Sequence, residues 1–493
     1  MASSGSFSTR LNTALARRAV EFTMLGLLGL VYTLAYFNHP LLPGNKPASP
    51  LGWWEWVDQS WYLKATQGLA KFQLNQDVCH YPLGYPLLGA LFWRLMPSNP
   101  FFIPDLVLVL ATAWVWWGLA LRLLSRLQAL VVGVLFIGFH AALLGKTVVI
   151  PWNTLPTQFT LLCGIGLVVS ENKPRTATWL SILTALTYFT RPSDALAFAP
   201  LLIFSVLRLP GIRTKVLTGL VGLAIVAIPV IAVGIINLSV FGHWRSSYED
   251  QTIRFIGFFG YPMFYKLYWI FLDGKPVFNE TKTALLFHYP WLLLAIPGVL
   301  YWIKKEGFAA VVAILTLALN WTLYLNYNDF LPSDLFRFNL IHYLAWGFPL
   351  LALLSAAAVL RGWRERSVRM GFGIAAAGLI AALGVHLEEQ ALPNLDRSPV
   401  AGTIVLPQQR PVLMSFDSLP LKAVTAICSN GEQLHECHDY LVPFASENLR
   451  MLLSKNVTAH ELQLSSDTRT KVDLPRYSVL VWTWHLSPRR LLP

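Results

Sequence analysis

Charge is scarce in this sequence: only 13% of its 493 residues are Asp, Glu, Lys or Arg, about half the share found in a soluble domain. That scarcity excludes an ordinary water-soluble fold for most of the chain. The mean hydropathy of +0.50 points the same way, to lipid as the surrounding solvent. Cysteine is scarce as well. The four cysteines form no CxxC pair and no His/Cys cluster of zinc spacing. Cys79 and Cys163 read as isolated thiols. Cys428 and Cys437 lie close together in a polar region and would pair only outside the cytoplasm. Runs of basic residues are missing too. The net charge is +12, yet Lys and Arg sit in small groups between apolar stretches. That placement reads as membrane topology and not as a phosphate-backbone footprint. Internal repeats and low-complexity segments are absent.

What is abundant is apolar sequence. Stretches of spanning length occur at 20–37, 104–121, 128–145, 155–170, 176–190, 195–207, 215–237, 285–303, 308–325, 338–360 and 368–386. The first follows Arg10, Arg17 and Arg18, and no small-residue cleavage site comes after it. It reads as an uncleaved helix and not as a signal peptide. One further stretch, 84–95, is too short to span and opens on Pro82 and Pro86, so it reads as a re-entrant or juxtamembrane helix.

Charge placement supports that choice. With 84–95 not spanning, Arg122/Arg126, Lys173/Arg175, Arg208/Arg213/Lys215, Lys304/Lys305 and Arg361/Arg364/Arg366/Arg369 all face the cytoplasm, as the positive-inside rule requires. The expected fold is an all-α polytopic membrane protein of about eleven transmembrane helices plus the juxtamembrane helix. A membrane domain, 1–386, carries outer loops at 38–103 and 238–284, with a short one at 146–154. A small α/β soluble domain, 387–493, follows on the outer face. Its strands are expected at 410–416, 423–428 and 476–485, and a helix at 446–464. Two sequons, at Asn279 and Asn456, would face outside and matter only in a secretory pathway.

The first outer loop carries the densest chemistry: Trp53-Trp54-Glu55-Trp56-Val57-Asp58-Gln59-Ser60-Trp61-Tyr62-Leu63-Lys64. To about residue 72 it has helical spacing with aromatics on one side, which suits a helix lying in the interface. A carboxylate at Asp58, near lipid depth and flanked by Trp, is partly desolvated and can serve as a general base. The plainer alternative makes Asp58 only an N-cap. Cys79-His80-Tyr81-Pro82-Leu83-Gly84-Tyr85-Pro86 follows, an irregular stretch suited to lining a cavity, or to a tight turn into the short helix.

These residues resemble the first-loop signature of GT-C-fold glycosyltransferases, which include protein O-mannosyltransferases and the aminoarabinose transferase of lipid A. The matching elements are Asp58 with Tyr62, Ala65 and Gly68, then the Tyr81–Pro86 turn. Further elements follow in order: Thr190-Arg191-Pro192; Asn237 through Phe241-Gly242 to Ser246-Ser247-Tyr248; and Arg337-Phe338 through Pro349. The resemblance covers about residues 10–360. It implies sugar transfer, with inversion, from a polyprenyl-phosphate or polyprenyl-diphosphate carrier to an acceptor glycan, lipid or protein on the outer face. Asp58 would be the base, and Tyr62, Tyr81 and Tyr85 would line the cavity. Outer-face polar groups would hold the phosphate: Lys146, Asn153, Arg191, Arg245, Arg337 and His342, with His243 and Tyr343 as weaker candidates. A lone Arg at a helix end is also a common membrane anchor.

Two features depart from that family. The second outer loop offers Asn153 where relatives carry a second carboxylate, so a divalent metal lacks a ligand there and the cofactor stays open. Phe102-Ile103-Pro104-Asp105, just before the second span, holds no arginine where the aminoarabinose-type enzymes have one, with Arg94 as the alternative. Two other functions compete: a transporter or flippase, and a non-catalytic component of envelope polysaccharide assembly. A transporter would place functional charges within its spans. The expected location is a bacterial inner membrane, with the N-terminus cytoplasmic.

Overall fold

The computed structural model describes residues 5–139, 148–170, 174–251, 267, 270–272, 285–326, 343–387 and six strand segments between 399 and 473. The chain divides into two compact units. One comprises 1–247, 301–317 and 345–361, and the other 248–300, 318–344 and 362–493.

The first unit is helical and holds the first outer loop. Its helices are α1 (Gly5–Phe37), α2 (Val57–Ala70), α3 (Gly84–Phe92), α4 (Phe102–Leu123), α5 (Arg126–Phe139), α6 (Thr154–Ser170), α7 (Pro174–Thr190), α8 (Ala199–Leu207) and α9 (Ile212–Phe241). Of all the described helices, four are long and apolar enough to cross a membrane: 18–37 within α1, α4, α9, and Phe308–Leu325. The helix α9 starts after Gly211 and is closed by Gly242 in the left-handed conformation, a conformation that glycine adopts without the Cβ penalty. Its 30 residues reach about 45 Å, longer than the roughly 30 Å hydrocarbon core it would cross. The short stretch at 84–95 forms only the nine-residue α3.

The first loop is fixed by aromatic packing. Tyr36, at the end of α1, meets Trp53 at 5.3 Å and Phe102 at 4.9 Å between ring centroids. Trp54 reaches Phe101 at 6.1 Å and donates its indole N–H to the Ser98 carbonyl at 3.0 Å. Each such ring pair adds roughly 0.5–1.5 kcal/mol beyond area burial. The turn leading in needs Gly52, with φ +54, since a Cβ there would lie 2.2 Å from the Leu41 carbonyl oxygen.

A group of ion pairs gathers around the last turn of α4. Arg122 forks onto Glu306 at 2.9 and 3.2 Å, Arg126 pairs with Glu21, and Lys305 donates to the Arg122 carbonyl. Arg361 donates to Gln128 at 2.9 Å. Between Phe102 and Arg122, α4 covers about 30 Å, the thickness of a hydrocarbon core. Cationic and aromatic ends are thus one bilayer apart along a single helix.

In the second unit, α10 (Arg366–Leu387) seats Gly371 and Gly378 against Pro297 and Leu293. The strands are β1 (Pro399–Val405), β2 (Val412–Asp417), β3 (Val424–Asn430), β4 (Gln433–Glu436), β5 (Asn448–Leu453) and β6 (Glu461–Asp473). They pair antiparallel in the order β4-β3-β6-β2-β5, with β1 also on β6. The helix expected at 446–464 is not found in the described part of that segment, where β5 and the start of β6 lie. Leu462 and Leu464 open a period-two pattern along β6, whose odd-numbered positions are all polar. The expected strand at 476–485 and both sequons lie outside the described residues. So does any pairing of Cys428 with Cys437, while Cys79 and Cys163 are free thiols.

Candidate functional site

The site is assembled from one loop and three helix ends. Asp58 does not cap α2: it stands in the helix's first turn, Trp56 occupies the capping position, and no side chain caps the helix. The N-cap alternative is thereby overturned, because Asp58 spends its hydrogen bond elsewhere. Tyr81 donates its hydroxyl proton to Asp58 Oδ1 at 2.5 Å. Asp58 is half-buried. Burial raises its pKa from the ordinary value of 3.8, while the Tyr81 hydrogen bond and the nearby Arg191 charge pull it back. Desolvation is the largest of these influences. A half-buried carboxyl group held above its usual range is suited to accepting a proton.

Arg191 closes α7 and is itself held on two sides. It donates to Asn153 Oδ1 at 3.1 Å and pairs with Asp194 at 3.2 Å. Asn153 in turn donates to the Thr190 carbonyl at 3.4 Å. The neighbour of the catalytic candidate, Gln59, donates to the Pro151 carbonyl at 3.1 Å. The short loop before α6 is therefore tied both to α2 and to the end of α7. Asp58, Tyr81, Asn153 and Arg191, chosen separately from the sequence, converge on this place.

Aromatic side chains form the floor. Tyr62 lies 5.2 Å from Tyr81 and 5.3 Å from Tyr85, edge to face with the latter. Tyr85 is 0% exposed and stacks on Phe101 at 4.4 Å. The structure puts Tyr85 behind the site and away from any opening. Its hydroxyl donates to Asp105 Oδ2 at 2.9 Å. His80 stacks on Trp61 at 4.3 Å and shares a 2.6 Å hydrogen bond with the Ser247 hydroxyl. Burial lowers the His80 pKa against the opposing pull of Asp77, which favours the neutral ring.

The turn that carries both tyrosines depends on Gly84. A Cβ at that position would sit 2.6 Å from the Phe189 carbonyl oxygen, on rigid backbone at the end of α7. Gly84→Ala is expected to lose about 1–3 kcal/mol of stability by overpacking. Thermal melting in detergent measures the loss, and an unchanged melting temperature contradicts the close approach.

Arg245 and His243 are exposed, with His243 stacked on Phe241 at 6.0 Å. Tyr343 stacks on Tyr324 at 4.6 Å. Lys146, Arg337 and His342 lie outside the described residues. Among the described residues no group of His, Cys, Asp or Glu could hold a metal ion. Asp194 and Asp105 escaped sequence reasoning. The spacing of Asp194 to Arg191, one helical turn, was a usable signal. Asp105 had none, because an acid in a helix's first turn is ordinarily accounted for by the helix dipole.

Below the loop lies an apolar cavity of about 130 Å³, lined among others by Leu28, Val109, Trp116, Phe136, Leu155 and Phe348. It reaches α6 at Leu155, within one turn of Asn153.

No family model matches the chain, and no curated protein or solved structure does either.

Proposed function

We propose that this chain is a membrane glycosyltransferase that moves a sugar from a polyprenyl-phosphate-type donor to an acceptor on the extracytoplasmic face. The observation that carries the reading is the Asp58 centre: a partly desolvated carboxylate bonded to Tyr81, with Arg191 nearby, at the end of α4 opposite the Arg122–Glu306 pair. The reading includes about eleven spans with the basic ends cytoplasmic, as the positive-inside rule asks. It also includes a separate extracytoplasmic C-terminal domain beyond residue 386.

In the reaction, Asp58 takes the proton from the acceptor hydroxyl as that oxygen attacks the sugar's anomeric carbon. The bond from that carbon to the carrier phosphate breaks, and the phosphate leaves with the electron pair. Inversion follows from a single displacement. The apolar cavity near Asn153 suits part of the carrier's hydrocarbon chain. A transporter is less well supported, because among the described residues the charged groups gather toward the helix ends.

The test uses the full chain in liposomes supplied with polyprenyl phosphates carrying radiolabelled sugars. Loss of label from a carrier to an acceptor supports the reading, and carriers left intact across the panel overturn it. The pH dependence has a fixed sign. Only ionised Asp58 accepts a proton, so kcat/KM should rise with pH through a midpoint above the ordinary 3.8 and fall on acidification. A flat acid limb in the pH–rate profile excludes Asp58 as the base.

A further inference from the structure

Asp105 stands one helix away from Asp58 and is 0% exposed, inside the first turn of α4. One of its oxygens accepts the Tyr85 hydroxyl. The other, Oδ1, is buried without a hydrogen-bond partner among the described residues. An unpaired buried oxygen of this kind destabilises the fold, since its lost hydration is not replaced. Packing alone would be served better by a leucine. A buried carboxyl group left half satisfied points to a role other than packing.

The contacts lead from Asp105 to the proposed base in four steps. Asp105 fixes the Tyr85 hydroxyl at 2.9 Å, and Phe101 fixes the Tyr85 ring at 4.4 Å. Tyr62 sets its ring edge to face on Tyr85 at 5.3 Å and meets Tyr81 at 5.2 Å. Tyr81 then holds Asp58 at 2.5 Å. Tyr81 and Tyr85 share one rigid turn, whose Gly84 is pressed on the Phe189 carbonyl. A rotation of Tyr85 is therefore felt by Tyr62 and, through it and the shared turn, by Tyr81.

We infer that Asp105 is a positioning residue for the Asp58 centre: its carboxyl pins Tyr85, and through Tyr62 and the shared turn it keeps the Tyr81 hydroxyl on Asp58. The role rests on the proposed function only in naming Asp58 the base; the geometry it claims is independent of any substrate. Around Asp58 the groups that bear on its charge are Tyr81 and Arg191, the latter paired with Asp194. Around Asp105 they are Tyr85 from α3 and Tyr32 and Tyr36 from α1. Releasing the Tyr81 hydroxyl leaves Asp58 with one favourable contact fewer for its ionised form.

Infrared titration of the purified full chain tests this without a sugar donor. The Asp58 carboxyl band is assigned by its disappearance in Asp58→Asn. Asp105→Leu should raise the Asp58 titration midpoint by about one pH unit, a tenfold gain in proton affinity. Tyr85→Phe, which keeps the ring and removes the hydroxyl, should do the same and stands in if Asp105→Leu fails to fold. The double variant should shift no further than either single one, as partners in one chain of contacts behave. Asp105→Asn retains an acceptor for Tyr85 and should leave the midpoint in place. An unmoved midpoint in Tyr85→Phe, or additive shifts in the double variant, overturns the inference. The expected shifts without any sugar transfer by the native chain would sink the transferase reading and leave this one standing. Transfer without the shifts would do the reverse.

Discussion

Asp58→Asn is expected to lower the rate of the proposed sugar transfer by about 10²–10⁴-fold, the usual contribution of a positioned general base. The substitution isolates the proton-accepting role. Asparagine has nearly the same shape, and its carbonyl oxygen can still accept the Tyr81 hydroxyl that Asp58 Oδ1 now accepts at 2.5 Å. What it lacks is a site for the acceptor's proton. Stability should hold or improve slightly, since the carboxylate is partly desolvated and carries an unfavourable burial contribution. Initial rates in liposomes, read beside thermal melting, separate the two effects. A variant that transfers sugar at the native rate removes Asp58 from the mechanism. A variant that melts far below the native chain would show that the carboxylate holds the loop and not the chemistry.

Arg191→Met is the second large effect. Arg191 and Asp194 are both almost wholly buried, with side chains 10% and 3% exposed. Removing one partner of such a pair leaves a charge without compensation, a loss of about 3–5 kcal/mol. Asn153 loses its donor at the same time. The melting temperature should fall by several degrees, and Asp194→Leu combined with Arg191→Met should recover much of it, because replacing both ions with apolar groups is often nearly neutral. The acid limb of the pH–rate profile should also move upward, because the positive charge that favours ionised Asp58 is gone. Full stability in Arg191→Met would mean that the pair contributes nothing to holding α7.

The helices were legible because a long apolar run, in a chain so poor in charge, has almost nowhere to go but into lipid or a helical core. The shortness of α3 was legible from Pro82 and Pro86. Asp58 and Tyr81 stood out by their setting, an acid among tryptophans and a tyrosine in a Pro- and Gly-rich turn. Their hydrogen bond did not, since it joins residues 23 positions apart and depends on how the loop closes. Asn153 and Arg191 could be chosen as outer polar groups but not paired, for the same reason. Asp105 was hidden because the helix dipole alone suffices to place an acid there. Tyr85 was expected at the surface of a cavity because nothing local announces a buried partner. The segment at 446–464 was misread because Leu449, Leu452 and Leu453 have helical spacing, whereas the alternation that marks a strand shows only along β6.

The approach of Gly84 to the Phe189 carbonyl has a consequence for ancestry. Lipid-facing positions on α9 can drift among Leu, Ile and Val with little penalty. Position 84 drifts only at a loss of stability, since even the smallest side chain meets main chain at the end of α7. Descendants of this chain that keep its architecture are therefore expected to favour a glycine at that point.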